Sequence, residues 1–214
     1  MNILVLHSGS RSFEKVAEKY GHTCFSVDIV NYDGTNLIAD IEYLTIKDIP
    51  FIPDVLWCSR DCRTYSIAAI KHHRRGILPI SEYAAKCDRV NINTNNLIEQ
   101  LLVINTDMDY YLENPRGMMR KMPFMQKHTR TTITYCSYGD DRMKPTDIWS
   151  NNIQSVFNPN GWKPRPLCHN GNKNCHHQPA PRGSKTGTQG KKGSYERSRI
   201  PEQLFEDILK LYTL

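Results

Sequence analysis

The residues best suited to covalent chemistry lie in the stretch VLWCSRDCRTYS, positions 55–66. Its two cysteines, Cys58 and Cys62, have three residues between them, whereas thiols of redox pairs are separated by about two. Cys58 falls inside an apolar run typical of a strand, so we expect it to be a packing residue. Cys62 follows that run among polar residues, where a thiol can act as a nucleophile. The stretch therefore predicts one working thiol, at Cys62.

Cationic groups beside Cys62 bear on its reactivity. Only the thiolate attacks, and neighbouring positive charge lowers the pKa of a thiol. Arg60 and Arg63 flank Cys62, and the residues after it predict a helix whose N-terminus adds partial positive charge. We therefore expect these groups to lower the pKa of Cys62.

A second cysteine-rich stretch, LCHNGNKNCHH at 167–177, contains residue types that bind zinc. Cys168, Cys175 and His176 are the predicted ligands, although their spacing matches no standard zinc finger. The alternative is that these side chains are ordinary exposed loop residues. The remaining cysteines lie in apolar stretches and are predicted to pack in the core: Cys24, Cys87 and Cys136.

Further polar residues stand where apolar strands are predicted to end. In an open α/β sheet, such strand ends share one edge, and ligands bind there. Gly9 permits a tight turn after the first strand, and the following helix offers free backbone N–H groups. The usual dinucleotide fingerprint is not predicted, because its second and third glycines are absent. The residues at the predicted edge are the turn HSGSRS at 7–12, Asp28, Asp40, and the pair Glu113 and Asn114.

The elements that must position these residues alternate between strands and helices in the first half of the chain. This alternation predicts an α/β fold with a mostly parallel, seven-stranded sheet and helices on both faces. Helical spacing of apolar residues is present at 11–22, 64–73, 81–102 and 200–214. The predicted strands are 2–8, 23–30, 35–41, 53–59, 108–114, 130–138 and 145–150.

Charge divides the 214 residues unevenly. Between Gly161 and Arg199 there are nine basic residues opposed by Glu196 alone, although the net charge of the whole chain is only +6. A basic, glycine-rich segment suggests a polyanionic partner, and the alternative is a solvated flexible segment. We predict a core at 1–157, a basic irregular insertion at 158–198 and a closing helix at 199–214 that returns to the core.

Localisation signals are sparse. No run of apolar residues is long enough to predict a membrane span, and MNILVLHSGS lacks the pattern of a signal peptide. Seven irregularly spaced cysteines argue against a disulfide framework. These observations predict a protein of a reducing cytoplasm.

Taken together, these motifs resemble the cytosine-C5 DNA methyltransferases, specifically the short phage-type members. The order glycine turn, two strand-end acids, cysteine and Glu-Asn is characteristic of that family. The resemblance runs essentially from end to end and implies a Rossmann-like methyltransferase fold, located in the host cytoplasm if phage-encoded. It rests on LHSGSRSF, SVDIV, ADI, SRDCRTYSIAA, LENPRGMMRKMPFM, TYCSYGDDRMKPTDIW, APRGSKTGTQG and RSRIPEQL.

The resemblance implies a site for S-adenosylmethionine. Asp28 would bind the ribose hydroxyls and Asp40 the adenine amino group, with Ile29 and Ile41 packing against the adenine ring. The turn after the first strand would hold the methionine part of the cofactor. Its residues, with two further serines implied near the cofactor, are Ser8, Gly9, Ser10, Arg11, Ser12, Ser59 and Ser198.

The resemblance also implies the chemistry. Cys62 would attack C6 of a flipped cytosine, and Glu113, held by Asn114, would bind the edge of the base. Arg142 would lie near the target base. The implied contacts to DNA are Arg63, Arg116, Lys144, Arg182, Lys185, Lys191 and Lys192.

Three positions depart from the family pattern. Val5 and His7 stand where the family has an acid and an aromatic residue, and Arg60 replaces a proline. Loss of the proline is expected to loosen the loop that aims the thiol. Two alternatives to cytosine methylation therefore remain open: an inactive DNA-binding relative, and an enzyme that transfers a modified group. RNA is an alternative substrate.

Overall fold

A seven-stranded sheet with the order β3-β2-β1-β4-β7-β9-β8 is the centre of the fold. The protein is represented by a computed structural model that describes residues 1–178 and 194–213. The first five strands of this order are parallel, whereas β9 is antiparallel to both of its neighbours. The predicted mostly parallel α/β sheet is therefore confirmed. Its strands are β1 (Asn2–Leu6), β2 (Thr23–Asp28), β3 (Leu37–Ile38), β4 (Val55–Ser59), β7 (Asp109–Pro115), β8 (Arg130–Thr134) and β9 (Pro145–Ser150).

Helices cover both faces of this sheet. On one face, Leu4 and Leu6 of β1 join a core that includes Leu97 and Ile98. On the other face, side chains of β1 pack with the helices at 12–19 and 202–209. The α-helices are α1 (Ser12–Lys19), α2 (Ile70–His73), α3 (Glu82–Ile104), α4 (Ser194–Ser198) and α5 (Glu202–Leu209).

Strands β1 and β4 read as continuous apolar runs because both of their faces are buried. Their side chains are almost fully excluded from solvent, and alternate residues enter the two cores. Phe13 of α1 stacks on Trp57 of β4, with ring centroids 5.2 Å apart, and meets Phe205 of α5 edge to face at 4.9 Å. The closing helix therefore packs against the first helix over the sheet.

The helix expected at 64–73 is reduced to the single turn α2. A continuous helix would use the carbonyls of Thr64 and Tyr65 for its own hydrogen bonds. Here the Thr64 carbonyl accepts from Arg74 Nε at 3.0 Å, and the Tyr65 carbonyl accepts from the backbone N–H of Met118 at 2.8 Å. Tertiary partners have replaced the helical ones. The chain instead forms a short hairpin, β5 (Arg74–Arg75) and β6 (Leu78–Pro79).

Two expected strands are also shorter than their patterns suggest. The third strand, expected at 35–41, contains only β3, and Asp40 beyond it forms a turn in which its Oδ1 accepts from the N–H of Glu42 at 3.0 Å. The sixth, expected at 130–138, ends at Thr134 and continues as a 3-10 helix, Tyr135–Tyr138. Across the described ranges, no helix has the length and apolar character needed to cross a lipid bilayer.

Candidate active site at the carboxyl edge of the sheet

The carboxyl ends of β1, β2, β4 and β7 bring the predicted site residues to one edge. Adjacent parallel strands with matched register end at the same level. Ser59 of β4 is paired with Glu113 of β7, and Leu6 of β1 is paired with both Val27 and Cys58. The polar residues that follow these strands are therefore neighbours, as the sequence predicts.

The turn after β1 is fixed by Asp28. One carboxylate oxygen of Asp28 accepts a hydrogen bond from the backbone N–H of Gly9 at 3.0 Å, and the other accepts from Val30 at 2.9 Å. Gly9 has a φ of +51°, which glycine adopts at little cost. His7 and Arg11 are also left-handed, each with a φ of 54°. Such strained backbone is typical of ligand-binding turns.

Five of the serines predicted to bind a cofactor line one cavity of about 30 Å³ next to this turn. Apart from Glu14, its remaining walls are apolar and include Trp57 and Ile200. Trp57 Nε1 donates to Ser59 Oγ at 2.8 Å, which fixes the orientation of that hydroxyl. The serines are Ser8, Ser10, Ser12, Ser59 and Ser198.

Glu14 is a cavity residue that the sequence patterns do not reveal. It is fully buried, and neither carboxylate oxygen has a hydrogen-bond partner within the part of the chain that the structure describes. Burial raises the pKa of Glu14 to about 7. Arg11 Nε lies 3.7 Å from the carboxylate. The one sign of it in the sequence is helical spacing, which places this acid on the core face of α1.

The residues predicted to bind adenine and ribose differ in their exposure and in their contacts. Asp40 pairs with Lys86 Nζ at 2.6 Å. Ile29 is 55% exposed and available for contact, whereas Ile41 is 2% exposed and packs in the core. Burial lowers the pKa of His7, against the opposing effect of Asp28. His7 is thus close enough to the acids at this edge of the sheet for their charges to act on it.

The loop that contains Cys62, residues 59–65 and hereafter the thiol loop, is pinned rather than loosened at Arg60. The Arg60 side chain is 3% exposed and donates to Asn95 Oδ1 of α3 at 2.5 Å and to Met125 Sδ at 2.9 Å. Its backbone N–H donates to the carbonyl of Glu113, and its carbonyl accepts from Asn114 Nδ2 at 3.0 Å. The expectation that Arg60 loosens the loop is therefore wrong, because its side chain enters the core.

A buried polar network holds the far end of the thiol loop. Tyr65 donates its hydroxyl to Asp88 at 2.6 Å, and Arg74 pairs with the same carboxylate at 2.6 Å. The guanidinium of Arg74 also lies 4.2 Å from the centre of the Tyr65 ring. The loop is thus fastened to both α3 and the hairpin.

Gly117 brings the loop after β7 against the thiol loop. A Cβ at this position would lie only 2.5 Å from the carbonyl oxygen of Tyr65. The next residue, Met118, donates its N–H to that same carbonyl at 2.8 Å. The segments that contain Cys62 and Glu113 are therefore in direct backbone contact.

The electrostatics of Cys62 differ from the expectation based on its neighbours in sequence. Burial raises the pKa of Cys62, and the charge of Glu113 raises it further, while Lys144 lowers it. Arg63 turns away and pairs with Asp61 at 2.5 Å, and Arg60 lies in the core. The expected lowering by the two arginines and a helix terminus is therefore wrong. The cation that favours the thiolate is Lys144, from a distant part of the chain.

Glu113 shares this environment. It is 4% exposed, and burial raises its pKa against the opposing effects of Lys144 and of a hydrogen bond from Tyr135. That bond runs from the Tyr135 hydroxyl to Oε1 at 2.9 Å. Burial lowers the pKa of the half-buried Lys144, whose ammonium lies 4.5 Å from the Tyr135 ring centre. Thiol, acid and amine are therefore electrostatically coupled.

Arg142 is a bracing residue in this structure. Its guanidinium pairs with Asp140 and donates to the carbonyls of Arg197 and Arg199 at 3.1 and 3.0 Å. The side chain is 2% exposed, so little of it faces the edge of the sheet. It joins the turn before β9 to the segment that leads into α5.

The predicted nucleic-acid contacts are only partly described. Arg63, in the thiol loop, and Arg116, just after β7, are exposed, and the ammonium of Lys144 lies 4.5 Å from the centre of the Tyr135 ring. The other four predicted contacts fall outside the described residues: Arg182, Lys185, Lys191 and Lys192.

The second cysteine-rich stretch contributes to a separate cluster of possible metal ligands. The ligand atoms of Cys136, Cys168, Cys175 and His177 all lie within 4.8 Å of one another. His176, the predicted ligand, instead points its Nε2 to the carbonyl of Asp140 at 3.0 Å. The structure therefore replaces His176 by its neighbour and adds Cys136, which was expected only to pack.

Comparison with known proteins establishes the fold. No family profile and no curated protein matches the chain. Among solved structures, it is similar to the methyltransferase EhMeth of Entamoeba histolytica, with a TM-score of 0.51 and 14% identity over 72% of this chain and 55% of that one. The Dnmt2 methyltransferase of S. pombe gives a TM-score of 0.51 and 14% identity over 78% of this chain and 57% of that one.

The class is therefore that of the methyltransferase fold, and the family resemblance of the sequence is confirmed at the level of fold. The chain spans little more than half the length of either of these structures.

Proposed function

We propose that this protein is a DNA cytosine-5 methyltransferase that uses S-adenosylmethionine. The observation that carries the proposal is the meeting of Cys62 and Glu113 at the ends of adjacent strands, beside a serine-lined cavity. Cys62 as nucleophile and Glu113, whose pKa burial raises, as proton donor share this site, and the charge of Lys144 acts on both.

The cavity residues suit the cofactor. Ser8, Ser10 and Ser12 offer hydroxyls, and the turn at Gly9 offers backbone N–H groups for its carboxylate. Glu14 is buried without a hydrogen-bond partner within the described ranges, and its ionised form would be complementary to the cationic methionine end. When bound, the cofactor supplies an electrophilic methyl group. Asp28 and Asp40 lie further along the edge for the ribose and adenine.

The residues act on cytosine in a defined order. Cys62 loses its proton and its sulfur bonds to C6, which breaks the C5–C6 double bond and makes C5 nucleophilic. Burial raises the pKa of Glu113 and so favours its protonated form. This form donates a hydrogen bond to the edge of the ring as negative charge develops there. After C5 takes the methyl group, water accepts the C5 proton, the electrons of the C5–H bond restore the double bond, and Cys62 leaves as the thiolate. Lys144 favours the thiolate in the first step.

Positioning is the work of two further side chains. Asn114 is 1% exposed and bonds the backbone of the thiol loop, so it holds Cys62 relative to Glu113. Arg142 braces the turn that contains Lys144. We therefore assign both of them positioning rather than catalytic roles.

DNA must approach this edge with its base flipped out of the duplex. Arg63 and Arg116 are exposed there, and the basic segment 158–198 adds cationic groups for phosphate contact. Only about forty residues lie in that segment, which favours readout of a short target sequence.

Mass spectrometry of nucleosides from cells that express the chain tests the proposal. We expect 5-methylcytosine with the wild type, none with Cys62→Ser, and an unchanged level with Cys24→Ser, which removes a thiol far from the edge. Absence of any Cys62-dependent modified cytosine in DNA would overturn the proposal. Modified cytosine found only in RNA would show that RNA, and not DNA, is the substrate.

A second candidate is an inactive or altered relative that keeps the fold. The observation that favours it is the burial of Cys62, which raises the pKa of the thiol and so disfavours the reactive thiolate. Calorimetric titration with S-adenosylmethionine separates the two, because a module that only binds DNA gives no heat with the cofactor. A modified cytosine of mass other than the methyl product identifies transfer of a different group.

A further inference from the structure

Three thiols and one imidazole meet in a part of the fold that the proposed reaction does not use. Cys136 lies in the 3-10 helix after β8, whereas Cys168, Cys175 and His177 come from a loop more than thirty residues later. Cys136 is buried at 4% exposure, and the other three are half-buried. Convergence of four such side chains from separate segments has no role in packing an apolar core.

The distances suit a tetrahedral metal ion. Cys168 Sγ lies 3.5 Å from His177 Nδ1, and all four ligand atoms fall within 4.8 Å of one another. Zinc bonded to sulfur and nitrogen at ordinary lengths separates neighbouring ligand atoms by about 3.6–3.8 Å. Small side-chain rotations would therefore complete the coordination.

The surroundings of the cluster favour thiolates. Asn172 Nδ2 donates to Cys168 Sγ at 3.3 Å, and the backbone N–H of Cys168 donates to Thr134 Oγ1 at 2.9 Å. A sulfur that accepts a hydrogen bond is better able to remain deprotonated as a ligand. The loop is thus arranged around Cys168 as the second-sphere contacts of a metal site require.

The loop has few other means of holding its shape. Arg165 is anchored by its ion pair with Asp207, but residues 166–178 contain no helix or strand, and Leu167 is 58% exposed. Its links to the turn after β8 are polar, such as Ser137 Oγ to the Pro166 carbonyl at 2.8 Å and the Gln178 N–H to the Asp141 carbonyl at 2.9 Å. A segment that buries so little apolar surface gains much from a metal clip.

We propose that Cys136, Cys168, Cys175 and His177 bind one structural zinc ion. The ion fastens the loop at 168–177 to the turn after β8. With four protein ligands the site is closed, so it has no open position for chemistry. The same turn continues to Arg142 and Lys144, and the ion therefore supports the side of the active site from which Lys144 acts on Cys62.

The purified full-length protein tests this by elemental analysis. We expect one zinc per chain in the wild type, loss of zinc in His177→Ala and Cys175→Ser, and full zinc in His176→Ala, the adjacent histidine that bonds a carbonyl instead. Cobalt substitution should give the intense visible bands of tetrahedral thiolate coordination. Metal-free wild-type protein, or equal loss from His176→Ala and His177→Ala, would overturn the proposal.

A second measurement applies to the wild type alone, so a variant that fails to fold does not decide the outcome. Chelation should make three additional thiols reactive towards an alkylating agent, mapped to Cys136, Cys168 and Cys175. A disulfide between any two of these cysteines in freshly purified protein would contradict zinc binding. Neither measurement depends on methylation, so the zinc site and the proposed function can fail separately.

Discussion

The thiol loop and the loop at 168–177 both present cysteines from irregular backbone, but they are held in opposite ways. The thiol loop is fastened by buried side chains, with Arg60 bonded to Asn95 and Tyr65 bonded to Asp88. The later loop has polar surface contacts and the four-residue ligand cluster. In the proposed roles, the single thiol beside an acid is available for reaction, whereas the clustered thiols share one zinc ion. The neighbours, rather than the cysteine itself, decide the role.

The largest expected effect comes from breaking the network that holds the thiol loop. Arg74→Ala leaves the carboxylate of Asp88 and the hydroxyl of Tyr65 without their buried cation. Removal of one partner from a buried ion pair costs about 3 kcal/mol, so the free energy of unfolding should fall by that amount. Urea denaturation measures the loss.

Arg75→Ala is the matched control, because Arg75 is the exposed neighbour. Its effect should stay within about 0.5 kcal/mol. Equal destabilisation by both changes would show that the loop does not depend on the network, and the contrast between the two loops would be lost.

The next effect concerns the reactivity of Cys62 as the pH rises. Glu113→Gln removes a negative charge that raises the pKa of Cys62, so its alkylation should begin at lower pH. Lys144→Met removes the cation that lowers the pKa, so alkylation should begin at higher pH than in the wild type. Rates of alkylation mapped to Cys62 across a pH series measure both shifts.

The two variants should move the profile in opposite directions, and Lys15→Met, on the exposed surface of α1, serves as the neutral control. Profiles that coincide for all variants would mean that Cys62 does not share an environment with Glu113. The thiol loop would then resemble an ordinary surface loop.

The smallest effect is expected at the second loop. Asn172→Ala removes the hydrogen bond to Cys168 Sγ but leaves all four ligands in place. Zinc should remain bound, and its binding free energy should weaken by about 1 kcal/mol or less. Competition with a chromophoric chelator measures the affinity, and Asn170→Ala is the control. Complete loss of zinc from Asn172→Ala alone would show that Asn172 does more than support a ligand.

The sheet could be predicted from sequence because its central strands obey local rules. Runs such as residues 2–6 and 55–59 are buried on both faces, so their apolar character is unbroken. Residues 64–73 have helical spacing, but the partners of the Thr64 and Tyr65 carbonyls come from Arg74 and Met118. The spacing of apolar residues cannot predict tertiary hydrogen bonds of this kind.

The same limit applies to the candidate site. Strand-end positions predict that Cys62, Glu113 and Asp28 lie at one edge of the sheet, since parallel topology alone brings the ends of their strands there. The cation near Cys62 was assigned to Arg60 and Arg63 because they are adjacent in sequence, whereas Lys144 reaches it through the antiparallel return of β9. The apolar neighbours of Cys136 predict a packing residue, and they carry no information on the orientation that brings its thiol to the proposed zinc ligands.

Gly117 limits how this protein can change by mutation. Because a Cβ there would collide with the Tyr65 carbonyl, any larger residue forces the segment after β7 away from the thiol loop. The two loops are therefore sterically constrained as one unit, and a bulkier residue at this contact would require a change in the backbone of either loop. Libraries that test the proposed DNA contacts should keep Gly117 and diversify exposed positions such as Arg116 instead.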